Sequence, residues 1–234
     1  MGWPGTEAEL DQVQLELAAR ADEEAPCELE PGAMTIGACF LAPGTVDGDR
    51  AWAGAVVLRD DAPVATSAVA GELTAPYRAG YLALRHGPLL ERAVRALEVA
   101  PDVLLVDASG RDHPRGAGLA LHLGAVLEVP TVGVTDRPLV ARMDEPGTER
   151  GSATPLTLGG RTVGFAVRTR TRARPVLAHA AWRTDPSTAR DVVLRTSGRA
   201  RTPEPLRLAR RAARVARAQA EGRTPPGWRD ASMS

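Results

Sequence analysis

The segment from Pro101 to Thr135 constrains the fold of this chain more than any other part of the sequence. Residues 102–106 form a short run of Val and Leu that predicts a buried strand, and residues 131–134 predict a second strand. Between the two strands an apolar stripe at helical spacing predicts a helix, formed by Leu119, Leu123, Val126 and Leu127. A strand, a helix and a strand of this length predict a right-handed crossover in a parallel sheet. Ligands bind beyond the carboxyl ends of such strands, where Asp107 and the turn at Gly133 are expected.

The flanking segments predict a mixed sheet with helices on its faces. Three successive strand patterns before the central unit indicate an antiparallel meander, and a helix is expected to begin at Pro88, a residue suited to a first turn. The other predicted strands are residues 34–40, 51–58, 64–70, 162–167 and 175–178, and the other predicted helices are 7–20, 188–194 and 203–220. The fold class is therefore α/β, with an antiparallel meander followed by a parallel crossover and flanked by helices.

We expect one domain over residues 33–222, since no second boundary interrupts the pattern. Residues 1–32 predict a short amphipathic helix and an acidic, proline-containing linker packed on this domain. Residues 144–154 are polar and predict a surface loop, and residues 223–234 predict a disordered tail. Two cysteines make no disulfide framework, no apolar run approaches the length of a membrane span, and the first residues are acidic rather than basic. A cytoplasmic monomer that does not cross a membrane is the expectation.

The charge of the chain is uneven although its formal net charge is zero. Residues 1–30 carry nine acidic side chains against one arginine, whereas residues 161–217 carry fifteen arginines against three acids. Two series stand out, an alternating one (Arg168, Arg170, Arg172, Arg174) and a helical stripe (Arg207, Arg210, Arg211, Arg214, Arg217). In extended backbone the first series would share one face, and the second could follow a phosphate backbone. A solvated face is the alternative, because the chain has no lysine and arginine serves every cationic role.

The central motif LLVDASGRDHPRGAGLALHLGAVLEVPTVGV resembles the endonuclease V family, metal-dependent nucleases that nick nucleic acid near deaminated bases such as inosine. It is similar to the family's strand-Asp-Gly-His-Gly, His-Pro-Arg, Leu-Ala-x-His-x-Gly and Pro-Thr-x-Gly-Val signature. Pro76-Tyr77 with Gly80, and residues 203–207 before the last helix, add further matches. The resemblance covers about residues 10–210 and implies a ribonuclease H-like fold.

The resemblance implies a metal centre whose residues are largely substituted in this chain. The family's first-strand aspartate falls on Cys39, its helix glutamate on His86, and only the third carboxylate, Asp107, is kept. The family's catalytic lysine falls on Asp136, and a histidine that some members carry in the last helix falls on Arg210. Cys39, His86, Asp107 and Asp136 are the candidate catalytic residues, and Arg210 is the fifth position of the family's site.

Such a set is poorly suited to Mg²⁺, which the family uses and which requires hard oxygen ligands in octahedral geometry. A thiol and an imidazole suit softer metals, so Cys39, His86 and Asp107 together could hold Zn²⁺ if the three converge. The alternatives are ordinary structural roles: a buried small side chain, a satisfied core histidine and a loop-capping aspartate. A pocket without metal is the favoured interpretation.

The resemblance also implies residues that recognise nucleic acid. Tyr77 matches the tyrosine that the family uses as a wedge beside the damaged base, and Gly80 follows it in the same loop. Gly133 would present backbone groups to the base. His113 and Arg115 lie near a predicted helix amino terminus, where Arg115 could meet a phosphate or merely pair with Asp112.

Two functions remain open. In the first, the chain binds DNA or RNA, or a protein partner, as an endonuclease V-like protein of the deaminated-base type whose phosphodiester cleavage is lost or much reduced. Arg207, Arg210 and Arg214 would then contact nucleic acid. In the second, it is an active metal-dependent endonuclease that nicks DNA or RNA near inosine with a rebuilt metal site. The loss of four of the five site positions favours the first.

Overall fold

A computed structural model describes residues 2–27, 34–46 and 48–224, which form one mixed sheet with helices on both faces. The strands are β1 (Ile36–Pro43), β2 (Arg50–Arg59), β3 (Ala62–Glu72), β4 (Val103–Val106), β5 (Thr131–Thr135), β6 (Ala153–Leu158), β7 (Arg161–Val167) and β8 (Val176–Ala180). The helices are α1 (Glu7–Glu23), α2 (Leu82–Arg95), α3 (Leu119–Leu127), α4 (Pro186–Thr196) and α5 (Glu204–Ala220).

The strand order in the sheet is β3-β2-β1-β4-β5-β8-β7-β6. The pairs β1–β4 and β4–β5 are parallel, and the pairs outside this centre are antiparallel. The meander and the crossover predicted from the sequence are therefore confirmed. Because the three parallel strands end at the same edge, the residues that follow them lie close together there.

The two faces of the sheet bury separate apolar clusters. Side chains of α1, α2 and α3 pack on one face with Cys39 and Val106, and side chains of α4 and α5 pack on the other with Ile36 and Leu105. Helix α5 crosses very close to β2, since a Cβ at Gly54 would come within 2.6 Å of the Ala209 carbonyl. This close approach brings the arginine stripe of α5 to the carboxyl end of β1.

The amino-terminal helix is part of the packed structure. A capping box of Thr6 and Glu9 begins α1, and Leu10 and Leu17 are fully buried in the core. Near its end Asp22 pairs with Arg111 and Arg161, which tie the helix to the body of the domain. Residues 28–32 of the predicted acidic linker and residues 225–234 of the predicted tail lie outside the described residues.

Two local predictions are wrong, and the condition attached to a third is not met. Helix α2 begins at Leu82 rather than at Pro88, because the buried stripe extends upstream through Ala83 and Leu84 and the helix accommodates the proline. Residues 153–158, placed partly in a loop, form strand β6 by pairing with β7. The alternating arginines do not share a face: β7 ends at Val167.

The loop after β7 is instead built around its arginines. The Arg168 guanidinium is buried and donates to the carbonyls of Pro146 and Gly147, while Arg172 adopts a positive φ of 60°. These residues therefore organise the loop and do not form a basic strand face. Among the described helices, none combines the length and the apolar composition needed to cross a bilayer.

Candidate nucleic-acid site

The carboxylate predicted at the centre of the site is engaged by an arginine. Asp107 follows the last residue of β4, and its Oδ1 accepts a hydrogen bond of 3.0 Å from Arg210 Nη2 on α5. Burial raises the pKa of Asp107, and the guanidinium of Arg210 opposes that rise. A positive charge of the protein itself therefore lies against the carboxylate that the resemblance assigns to a metal site.

Cys39 lies beside this pair but cannot replace a carboxylate. It is fully buried on β1, in register with Val106 of β4. Burial, and after it the charge of Asp107, raise the pKa of the Cys39 thiol above its ordinary range. The sulfur is therefore a neutral thiol at physiological pH, and a metal ligand would need the thiolate.

His86 and Asp136 have different surroundings. His86 lies within α2, and burial together with the neighbouring Arg85 lowers its pKa to about 4, so the imidazole is neutral at pH 7. Asp136, just after β5, forms a 2.7 Å ion pair with Arg201. At the position to which the resemblance assigns a catalytic lysine, this chain thus holds a carboxylate that is paired with an arginine.

These residues do not fit a metal ion. Across residues 2–27, 34–46 and 48–224, no three His, Cys, Asp or Glu side chains are grouped so that they could hold one. The Zn²⁺ hypothesis requires Cys39, His86 and Asp107 to converge, and that convergence is not found. For Mg²⁺ the site offers two carboxylates, Asp107 and Asp136, and each is already paired with an arginine, which is a poor donor set for a hard cation.

A cavity of about 220 Å³ opens beside Asp107, at the carboxyl ends of β4 and β5. Its lining includes Tyr77, Gly80, His113, Thr135 and Leu139. Tyr77 is 73% exposed at the rim, so its ring is available for stacking on a base. The structure thus brings three of the predicted recognition residues and Asp107 to one concave site.

His113 and Arg115 hold the Tyr77 loop in place. The backbone N–H of Arg115 donates to His113 Nδ1, which leaves the proton on Nε2 to bond the Gly80 carbonyl at 3.1 Å. Arg115 Nη2 donates to the same carbonyl, and its guanidinium also contacts Asp11 and Gln14. Of the two alternatives left open for Arg115, the pairing with Asp112 is not found among the described residues, and the geometry favours a loop-holding role over a phosphate contact. Gly80 itself has a φ of +82°, which glycine adopts without strain.

Gly133 has a packing role. It lies inside β5, and a Cβ there would come within 2.5 Å of the Ala108 carbonyl and 2.8 Å of the Gly110 nitrogen. The glycine lets the loop after β4 lie directly against β5, and it is not among the described residues that line the cavity. Its predicted contact with the base therefore stays a prediction.

Asp112 is a residue that sequence reasoning missed. Its buried carboxylate accepts hydrogen bonds of 2.7–2.9 Å from three successive backbone amides, those of Leu139, Val140 and Ala141. This interaction ties the loop after β4 to the segment that forms one wall of the cavity. The only sequence signal is an acidic residue in an otherwise small or basic loop, and its partners lie 27–29 residues away.

Replacing this carboxylate is expected to loosen the cavity wall. The change Asp112→Ala leaves three backbone donors without their acceptor, so we expect the free energy of unfolding to fall by roughly 3–5 kcal/mol. The change Asp112→Asn keeps one acceptor oxygen, so its free energy of unfolding should fall by less. Urea unfolding measures both, with exposed Asp144→Ala as the control. A loss for Asp112→Ala no larger than that of the control would contradict this role.

The arginine stripe of α5 continues away from Asp107. Arg207 pairs with Glu204 in the first turn of the helix. Further along, the guanidinium of Arg214 lies 5.7 Å from the centre of the Phe40 ring, and Arg217 Nη1 donates to the Pro43 carbonyl at 2.8 Å. The later part of the stripe thus follows the carboxyl end of β1.

The mixed sheet, the parallel crossover and the acidic residue at the end of β4 define a ribonuclease H-like α/β fold of the nuclease class. A sequence model of the endonuclease V family matches residues 16–211. The chain therefore belongs to the endonuclease V family, and the resemblance predicted from its motifs is confirmed.

Relatives match over nearly their whole length. The endonuclease V of Streptomyces avermitilis is 38% identical over 213 residues, which cover 89% of this chain and 91% of that protein. The endonuclease V of Xanthomonas campestris pv. campestris is 35% identical over 214 residues, which cover 91% of this chain and 89% of that protein.

Solved structures agree with this assignment. The S. avermitilis endonuclease V superposes with a TM-score of 0.85 at 36% identity, over 94% of this chain and 96% of that one. The catalytic domain of human endonuclease V gives a TM-score of 0.82 at 29% identity, over 93% and 99%. The Ciona intestinalis endonuclease V, solved in complex with a DNA containing inosine, shares the fold at 21% identity with a TM-score of 0.78.

Proposed function

We propose that this chain binds nucleic acid that contains a deaminated base such as inosine, and that its metal-dependent cleavage is lost or much reduced. The observation that carries the proposal is the ion pair of Asp107 with Arg210. In the family's mechanism a divalent cation neutralises charge on the scissile phosphate. Here a guanidinium is bonded to the remaining carboxylate, and Coulomb repulsion would oppose a cation at the same place.

The cavity supports the binding part of the proposal. It is concave, lies at the carboxyl ends of parallel strands and carries an exposed tyrosine at its rim, as sites for flipped or splayed bases do. Family membership supports the ligand class, because the Ciona intestinalis endonuclease V was solved in complex with a DNA containing inosine. Backbone groups in the wall can recognise a base whether or not a metal centre is present.

The second candidate is an active endonuclease with a rebuilt metal site. It is favoured by the retention of Asp107 and by the close likeness to relatives named endonuclease V. In that case Arg210 would have to leave Asp107 when substrate and metal bind together. The two candidates therefore differ in whether Asp107 is needed for cleavage or only for holding Arg210.

Nicking and binding assays on the same labelled substrate test the proposal. The purified chain is expected to shift an inosine-containing strand in a binding assay more strongly than the matched adenine-containing strand. It is expected to leave the inosine-containing duplex uncut with Mg²⁺ or Mn²⁺. Cleavage by the unmodified chain that disappears in Asp107→Ala would establish the active alternative instead, and equal binding of the two strands would remove base recognition.

A further inference from the structure

We propose that Arg210 and Arg214, arranged around Phe40, form a phosphate clamp that binds the nucleic-acid backbone without a divalent cation. This inference rests on the proposed function and specifies how the phosphates of the bound nucleic acid are held. The clamp extends along α5 from Asp107 to Arg217. Its ligand class is a phosphodiester backbone.

Arg210 acts as a resident cation at the place where the family would use a metal. Asp107 fixes one of its amino groups at 3.0 Å, but a guanidinium carries five N–H donors. Its Nε is buried without a hydrogen-bond partner among the described residues, and 29% of the side chain stays exposed. The group is therefore held in position while part of its hydrogen-bonding capacity is unused.

Phe40 contacts a second cation, Arg214, beside the first. The guanidinium carbons of Arg210 and Arg214 lie 5.2 and 5.7 Å from the centre of its ring, which is a cation–π distance for both. Arg214 is exposed and has no ion-pair partner within the described part of the chain. The Asp107 carboxylate offsets part of the charge of both arginines, and the positive charge left over favours a further anion beside them.

The surroundings suit a phosphate chain rather than a lone anion. A cavity of about 320 Å³ is lined by Phe40, Ala42, Pro43, Arg214 and Arg217. From residue 210 to residue 217 a helix rises about 10 Å. One strand of DNA carries a phosphate about every 3.4 Å of helix axis, so the stripe spans roughly three phosphates. Arginine is well suited to them, since its planar fork can bond phosphate oxygens in pairs.

The experiment is a fluorescence anisotropy titration of an inosine-containing single strand, in EDTA and in Mg²⁺, at several salt concentrations. The unmodified chain is expected to bind within about twofold as tightly in EDTA as in Mg²⁺, a difference of well under 1 kcal/mol. Arg214→Gln and Arg210→Gln should each weaken binding by about tenfold. Each should also reduce, by about one unit, the steepness with which the logarithm of the binding constant falls with the logarithm of the salt concentration. Arg214 is exposed, so its variant keeps the test valid if Arg210→Gln unfolds.

The matched control is Arg59→Gln. It removes one positive charge at the end of β2 that lies beside the amino end of β1, away from the carboxyl end where the clamp lies, and it is expected to bind like the unmodified chain. Binding that requires Mg²⁺, or variants of Arg210 and Arg214 that bind as tightly as the control, would overturn the clamp. The proposed function fails separately: binding that depends on these arginines but does not favour inosine over adenine would keep the clamp and remove base recognition. Binding to neither strand under any condition would overturn both.

Discussion

A variant that carries Cys39→Asp, His86→Glu, Asp136→Lys and Arg210→His is expected to nick inosine-containing duplex in the presence of Mg²⁺. The first two changes restore the carboxylates that the family places around the metal, and the third restores its catalytic lysine. The fourth removes the guanidinium that pairs with Asp107. Since single electrostatic groups in such sites contribute factors of roughly 100–1,000, we expect a rate at least on the order of 100-fold above the unmodified chain.

The same variant with Arg210 retained is the matched control. Because Arg210 keeps a positive charge bonded to Asp107, this three-change variant is expected to show far less cleavage. Adding Asp107→Ala to the four-change variant should abolish the recovered activity. Equal cleavage by the three-change and four-change variants would show that Arg210 does not exclude the metal. An inactive four-change variant that binds Mn²⁺ would show that more than the metal centre has been lost.

Lowering the pH from about 7 to about 4 is expected to remove several kcal/mol from the free energy of unfolding. Burial lowers the pKa of His86, His113 and His122 from 6.5 to about 4, and it lowers the pKa of His179 as well. Each of the first three shifts corresponds to at most about 3 kcal/mol. Even a fraction of their sum is comparable with the roughly 5–15 kcal/mol that stabilises a typical domain.

The direction follows from proton uptake. Between pH 6.5 and about 4 the unfolded chain binds protons on these histidines while the folded chain does not, so stability falls as the pH falls through this window. Asp107 acts in the opposite sense, because its pKa is raised. Urea unfolding at a series of pH values measures the effect. His122→Gln should flatten the slope by about one proton. A free energy of unfolding that stays constant between pH 7 and pH 4.5 would contradict buried neutral histidines.

The sequence was a reliable guide to those elements whose pattern is local. The crossover around Asp107 and the meander before it have the short apolar runs and helical stripes that predict strands and helices directly. The errors arose where a neighbour decides the outcome. Pro88 is tolerated inside α2, and residues 153–158 become a strand because β7 offers a partner.

At the candidate site, too, local features could be predicted from the sequence and contacts between distant residues could not. The motif located Asp107, and the charge pattern located the stripe of α5. Their ion pair joins residues 103 positions apart, and no spacing rule connects them. The role of Asp112 was equally hidden, since its partners are backbone amides that any sequence possesses. For Arg115 the sequence leaves a phosphate contact and a pairing with Asp112 open, whereas its partners lie on α1 and in the Tyr77 loop.

Direct titration with Mn²⁺, followed by the electron paramagnetic resonance signal of the free ion, measures whether a guanidinium has taken the place of the metal. With Arg210 bonded to Asp107, the unmodified chain is expected to leave the signal as it is in buffer, and Asp107→Ala is expected to behave identically. Binding of one equivalent of Mn²⁺ by the unmodified chain, lost in Asp107→Ala, would contradict the account.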